Sequence, residues 1–250
     1  MIKKIILHIP HSSINIPLID GYIKDTEKIN HELIKLTDWY TDELFYAETE
    51  RMIIAPFSRI FCDVERFEND EQEIMSKLGM GVLYQSFDDG SLLRKVSPIL
   101  RANIIKNYYW KHHNALLEEV NKQIKHNGNC LIVDCHSYPS KPLMRDLDLT
   151  AIRPDFNIGI DKYHTPQKLI DASIAYFKQS GYSLGVDWPY KGTIVPLAHY
   201  QKNKKVESIM LEVNRALYLN EPSNVKSEKF NETKKIIEGF IEMIKNEIDS

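Results

Sequence analysis

The chain has little cysteine, no long hydrophobic run and no excess of basic charge. Its three cysteines, Cys62, Cys130 and Cys135, cannot all pair and show no Cys-x-x-Cys spacing, so neither a disulfide frame nor a thiolate zinc site is indicated. A reducing, cytoplasmic setting is the expectation. No stretch approaches the roughly 18–20 consecutive apolar residues of a membrane-spanning helix. The apolar start, Ile5 to Ile9, is interrupted by His8 and ends at Pro10, too short for a secretory leader and readable as a strand. Lysine plus arginine number 32 against 35 acids, a net charge of −3, so no basic surplus exists to neutralise nucleic-acid phosphates or an anionic membrane. Repeats, low-complexity tracts and linkers are also missing, which favours a single domain over residues 1–250.

What is present is ordinary for a globular protein: 43% hydrophobic and 27% charged residues over a length that can bury a sizeable core. Elements alternate. Strands are predicted at Lys4–Pro10, Met52–Ala55, Ile60–Val64, Cys130–Val133, Phe156–Ile160, Ile194–Leu197 and Val206–Val213. Helical spacing runs through Ile29, Leu33, Leu36, Tyr40, Leu44 and Ala47. A second helix starts at Ser97-Pro98 and stops at Asn127-Gly128-Asn129, with Tyr109, His113, Leu116, Val120 and Ile124 on one face. Others cover Thr165–Gln179 and the region from Phe230 to Ile248. The proline-interrupted stretch from Ser137 to Pro154 reads as a long surface loop. Such alternation argues an α/β sheet, mixed and mainly parallel, covered by helices.

Ligands of open α/β sheets bind at the carboxyl ends of strands. Three such ends carry unusual residues: Pro10-His11-Ser12-Ser13, Asp134-Cys135-His136-Ser137 and Glu212-Val213-Asn214-Arg215. Two histidines and a carboxylate meeting at one edge would suit a zinc ion that keeps a position open for water. Read singly, His11 could cap a turn, Asp134 and His136 could be a structural pair, and Glu212 could be a buried acid paired with Arg215 or Arg59. Arg59 and Arg66 offer planar forks for a carboxylate or a developing oxyanion, or an ion-pair ladder with Asp63, Glu65 and Glu68.

Taken in order, several blocks resemble the N-formylglutamate amidohydrolase family. They are His11-Ser12-Ser13, Asp38-Trp39-Tyr40-x-Asp42-Glu43-Leu44, Ser58-Arg59 with Asp63-x-x-Arg66, Asp134-Cys135-His136-Ser137 and Glu212-x-Asn214-Arg215. Asn107–Leu116, Pro154-Asp155-x-x-x-Gly159 and Tyr190-x-Gly192-Thr193 extend the likeness over residues 7 to 220. The resemblance implies a zinc-carboxypeptidase-like α/β fold and one zinc ion per chain held by His11, His136 and an acid. It also implies Glu212 as general base, Arg66 on the substrate carboxylate and Arg59 on the acyl carbonyl. Two departures stand out. Glu65 occupies the place of an asparagine, beside the presumed carboxylate site. Ile14 stands where a carboxypeptidase would supply a glutamate ligand, so the third ligand must come from elsewhere. Asp38 is the first choice, before Asp42 and Glu43, although on a continuous helix it would point away from the Leu36/Tyr40 stripe. A fresh helix starting at Thr37-Asp38 would remove that objection.

His164 is a candidate pocket residue or a helix-entry residue; His113 reads as a core histidine. The expected activity is hydrolysis of the amide of an N-acyl amino acid, N-formyl-L-glutamate first, with a small-molecule substrate and no nucleic-acid or membrane partner. A carboxypeptidase-like or other acyl-amino-acid hydrolase is one alternative. A non-catalytic carboxylate- or metal-binding domain is another, expected if the strand-end residues do not converge.

Overall fold

The computed structural model describes residues 5–48 and 50–249. Six strands form one sheet in the order β2 (Arg51–Ile54), β1 (Ile5–Ile9), β3 (Cys130–Tyr138), β6 (Val206–Asn214), β4 (Phe156–Gly159) and β5 (Leu184–Val186). Every pairing is parallel except β4 against β6. The expected mixed, mainly parallel sheet is therefore present, with β5 an addition that sequence periodicity missed. Lys4 of the first predicted strand lies outside the described residues.

Successive side chains of a strand point to opposite faces, and the three central strands use this alternation in one phase. Ile5, Leu7, Ile9, Leu131, Val133, Cys135, Ile209, Leu211 and Val213 share one buried face, closed by α5 (Gln167–Gln179) and α6 (Phe230–Asp249) through Leu169, Phe177, Phe240 and Ile244. The opposite face begins apolar, with Ile6, Cys130, Ile132 and Val206 packed on Leu116 and Val120 of α4 (Trp110–Asn127). Toward the carboxyl ends that second face turns polar at His8, Asp134, His136 and Glu212, all buried. The register sets His8 beside Asp134 and His136 beside Glu212, neighbours at the roughly 4.8 Å spacing of adjacent strands.

Helix α4 continues α3 (Pro98–Ile104) through a π turn at Ile105–Tyr109. Ser97 caps the start, and Gly128 ends it in the left-handed region at φ +84°, where a Cβ would be strained. Tyr109, Leu116 and Val120 of the stripe read from the sequence are buried, but His112 rather than His113 completes the buried face.

The stripe from Ile29 to Ala47 is not one helix. α1 (Thr26–Leu36) stops where Thr37 turns extended; Tyr40, at φ +59°, precedes a short α2 (Thr41–Leu44). Asp38 sits in the break, its N–H donating to His11 O at 3.0 Å, so the objection from helix geometry disappears. Two predicted strands are absent. Ile60–Val64 is a turn in which the N–H groups of Phe61 and Cys62 donate to Ser58 O; its apolar run reflects burial of a loop rather than ladder pairing. Ile194–Leu197 stays unpaired because Ile194 N–H goes to Asp134 Oδ2 and Pro196 has no N–H to give.

Candidate active site

His11 follows β1, and its Nε2 pairs with Asp63 Oδ1 at 2.9 Å. Asp63 is itself fixed from several sides: Arg59 Nη2 and Nε donate to Oδ2 at 3.0 and 3.3 Å, Tyr84 Oη donates to it at 2.9 Å, and Glu65 N–H donates to Oδ1 at 3.0 Å. Burial alone would raise the Asp63 carboxyl, but the charges of Arg59, His11 and Arg66 hold it well below the ordinary range. An ionised Asp63 accepts the Nε2 proton of His11, and Nδ1 faces Asp38 Oδ2 at 3.7 Å. That Nδ1 is buried without a hydrogen-bond partner.

His136 is oriented from the other side. Its Nδ1 lies 3.2 Å from Asp38 Oδ2, which also accepts Ser137 N–H at 3.3 Å, while Asp38 Oδ1 accepts Arg215 Nη2 at 3.0 Å. Burial works against an ionised Asp38 too, yet the two histidine rings beside Oδ2, His136 Nδ1 at 3.2 Å and His11 Nδ1 at 3.7 Å, and the Arg215 charge depress it well below the usual value. His136 Nε2 is thereby turned toward Glu65 Oε2, 2.9 Å away, and Asp134 Oδ1, 3.2 Å away. Burial disfavours a charged His136 ring, but Glu65 and Asp134, with the hydrogen bond to Asp38, raise it well above an ordinary imidazole. The cluster thus draws positive charge to this spot.

Potential ligand atoms of His11, His136 and Glu65 lie within 4.8 Å of one another. Glu65, which the sequence reading did not choose, is the carboxylate of this group, while Asp38, the sequence choice, sets Oδ2 3.2 Å from His136 Nδ1 and 3.7 Å from His11 Nδ1. Both Asp38 oxygens already accept donors, Oδ2 from Ser137 N–H and Oδ1 from Arg215 Nη2. Asp42 and Glu43, the reserve choices, are likewise not in this group. Glu65, which read as an unfavourable charge beside the substrate, is the acid that faces both rings. The signal that could have found it is Asp63-x-Glu65, two acids two residues apart, the first anchored to His11 and the second free to face it.

Glu212 is the cross-strand neighbour of His136, and its Oε2 has no partner. Arg215 pairs with Asp38 and Arg59 with Asp63, so the salt bridges considered for Glu212 are not formed. Burial pushes the Glu212 carboxyl up to about 8; His136 and Arg59 oppose the rise, Asp38 and Glu65 add to it. Arg66 lines a cleft of about 890 Å³ together with Glu65, Asp134, Arg101, Trp110 and His113. His113 is half-buried, and burial lowers its imidazole to about 4; it belongs to this cleft and not to the core. His164 does not join the site. Its Nδ1 bonds Val206 O at 2.7 Å and its Nε2 accepts Gln201 N–H at 2.8 Å, so both nitrogens are spent on backbone.

A buried constellation of histidines, carboxylates and arginines at the carboxyl edge of a mixed sheet defines an α/β enzyme. Residues 3–219 match the family model described as N-formylglutamate amidohydrolase, and the chain belongs to that family, which makes it an amidohydrolase by class. No curated protein is matched. Among solved structures, it is similar to the N-formylglutamate amidohydrolase from Ralstonia eutropha JMP134, at 21% identity and a TM-score of 0.81, covering 95% of this chain and 91% of that one. It is also similar to a gene product of Agrobacterium tumefaciens, at 15% identity and a TM-score of 0.64, covering 97% and 92%. At such identities the two structures speak for the fold. Among the described residues no helix is long and apolar enough to cross a membrane.

Proposed function

We propose that the chain is a metal-dependent hydrolase of N-acyl amino acids, with N-formyl-L-glutamate as the first substrate to try. The observation that carries this is the group of His11, His136 and Glu65, whose ligand atoms lie within 4.8 Å of one another, with a carboxylate on each ring, Asp63 at His11 Nε2 and Asp38 at His136 Nδ1. Two imidazoles and one carboxylate suit zinc. A zinc ion held there would lower the pKa of a bound water from 15.7 to roughly 7 and polarise the acyl carbonyl.

The chain's own groups supply the rest. Glu212, beside His136 and with no salt bridge among the described residues, takes the proton of the attacking water and passes it to the leaving amine. Arg59, its Nε and Nη2 clamped by Asp63, is placed to stabilise the developing oxyanion. Arg66 in the cleft receives the substrate carboxylate and sets the register of attack. Glu65, turned to the histidines and to an ion held there, would have its charge compensated rather than set against that carboxylate.

The test is metal content by mass spectrometry together with turnover of a panel of formyl-, acetyl- and succinyl-amino acids and short peptides. The Glu212→Gln variant should keep its metal and lose about 10²–10⁴ in turnover. Near wild-type turnover in that variant would refute the base assignment. A wild type that binds no zinc would refute the metal reading.

A further inference from the structure

His8, Asp134 and His112 have no task in the scheme above, yet all three are buried on the polar face of the sheet. His8 and Asp134 are register partners on β1 and β3. Their side chains meet at 2.8 Å between His8 Nδ1 and Asp134 Oδ1. The same Asp134 oxygen lies 3.2 Å from His136 Nε2, and so stands between the two histidines.

Glu65 faces both ways. Its Oε2 lies 2.9 Å from His136 Nε2, while its Oε1 turns to His8 Nδ1 at 3.6 Å, beyond a hydrogen bond. That Oε1 is buried and has no hydrogen-bond partner. Neither Glu65 nor Asp134 is paired with a lysine or arginine among the described residues; each has only histidines opposite it. This sets them apart from Asp38 and Asp63, which arginines neutralise. Ligand atoms of His8, Glu65 and Asp134 fall within 4.8 Å of one another, as those of His11, Glu65 and His136 do.

We propose that the site holds a second divalent ion, on His8 Nδ1, Asp134 Oδ1 and Glu65 Oε1, with the Glu65 carboxylate bridging it to the ion on His11 and His136. The assignment rests on the metal reading of the neighbouring position and extends it from one ion to two. His8 is prepared for the role by its far nitrogen, which pairs with His112 Nε2 at 2.8 Å. Binding an ion would displace the proton that His8 Nδ1 donates to Asp134 Oδ1 at 2.8 Å and leave the ring's remaining proton on Nε2, directed at His112 Nε2. Asp134 Oδ2 is held by Ile194 N–H at 3.0 Å, and Oδ1, turned to His8 and His136, is the oxygen that would face the ion. One imidazole and two carboxylates form a harder set than two imidazoles and one carboxylate, and accept Mn²⁺ as well as Zn²⁺. Glu65 and Asp134 line the cleft, which makes this second position the one a substrate oxygen entering by that route would meet. Carboxylate-bridged pairs hold their ions about 3.5–4 Å apart, close enough for two Mn²⁺ ions to couple magnetically.

The experiment is calorimetric titration of chelator-stripped full-length protein with Zn²⁺ and with Mn²⁺, with stoichiometry checked by mass spectrometry and coupling by electron paramagnetic resonance. Two equivalents are expected in the wild type, one in His8→Asn, one in His11→Ala, and a coupled spectrum with Mn²⁺. A single equivalent in the wild type, abolished in His11→Ala and kept in His8→Asn, overturns the second ion and leaves the first. No equivalents overturns both. Two equivalents that His8→Asn fails to reduce place the second ion elsewhere and overturn this assignment. The wild-type stoichiometry decides even if a buried-histidine variant does not fold.

Discussion

Asp38→Asn separates a ligand from a carboxylate that orients one. Asparagine keeps the volume and one oxygen but removes the charge that faces His136 Nδ1 at 3.2 Å and Arg215 Nη2 at 3.0 Å. An acid behind a ligating histidine raises its basicity and fixes its tautomer, and losing such a partner weakens metal binding about 10–100-fold, or roughly 1.4–2.8 kcal/mol. Stability falls as well, because Arg215 is left as an uncompensated buried charge. Breaking a buried pair costs about 3–5 kcal/mol, and Arg215 keeps its bonds to Lys35 O at 2.6 Å and to Ser137 O and Oγ, each at 3.3 Å, so the lower end, about 3 kcal/mol, is expected. Zinc affinity is read by competition with a chromophoric chelator and stability by denaturant unfolding of the metal-free protein, each beside Glu65→Ala. If Asp38→Asn loses as much affinity as Glu65→Ala, Asp38 is a ligand after all. If its affinity matches the wild type, the bond to His136 orients nothing.

Two further outcomes follow from residues outside the metal groups. His164→Phe removes an acceptor from Gln201 N–H and a partner from Val206 O, so it should cost about 2–4 kcal/mol in denaturant unfolding and leave KM unchanged; a raised KM would return His164 to the pocket. Burial raises the Glu32 carboxyl from 4.5 to about 7, against the N–H of Asp88 and the charge of Lys35, which lower it. The native state then binds more protons than the unfolded chain between those values. Stability contributed by the neutral acid is lost as pH rises through that window, and the deficit is complete above about 7. At roughly 1.4 kcal/mol per unit its ceiling is about 3 kcal/mol. Glu32→Gln, whose amide oxygen can still accept Asp88 N–H, should therefore be more stable than the wild type at pH 8 by about 2–3 kcal/mol and equal near pH 4.5. The same difference at both pH values would refute this.

The alternation of strands and helices was legible because β1, β3 and β6 are buried on both faces and read as apolar runs. The same rule misled at Ile60–Val64, since a loop folded into the core shows the same run of side chains without a ladder. Among the site residues, His11, His136 and Glu212 stand at strand ends, where position alone points to them. Asp38 could be placed in the site but not given its role: whether an acid faces Nδ1 or Nε2 of a histidine is decided by a rotamer and by Arg215, 177 residues away. Glu65 is a related case. The turn after Asp63 brings its carboxylate to His136 at 2.9 Å and toward His8 at 3.6 Å, a direction no spacing encodes.

The π turn at Ile105–Tyr109 bears on how such a site could arise. It holds one residue more than the α turn it replaces, so all that follows is rotated by roughly 100° relative to an uninterrupted helix. Leu116 and Val120 lie on the sheet in the same phase that brings His112 to His8. Packing and polar chemistry on one helix are thus brought into step by one residue of slack. In evolutionary terms that is the insertion of a single codon, a change small enough to survive in a folded ancestor and large enough to bring a different side chain to the polar face of the sheet.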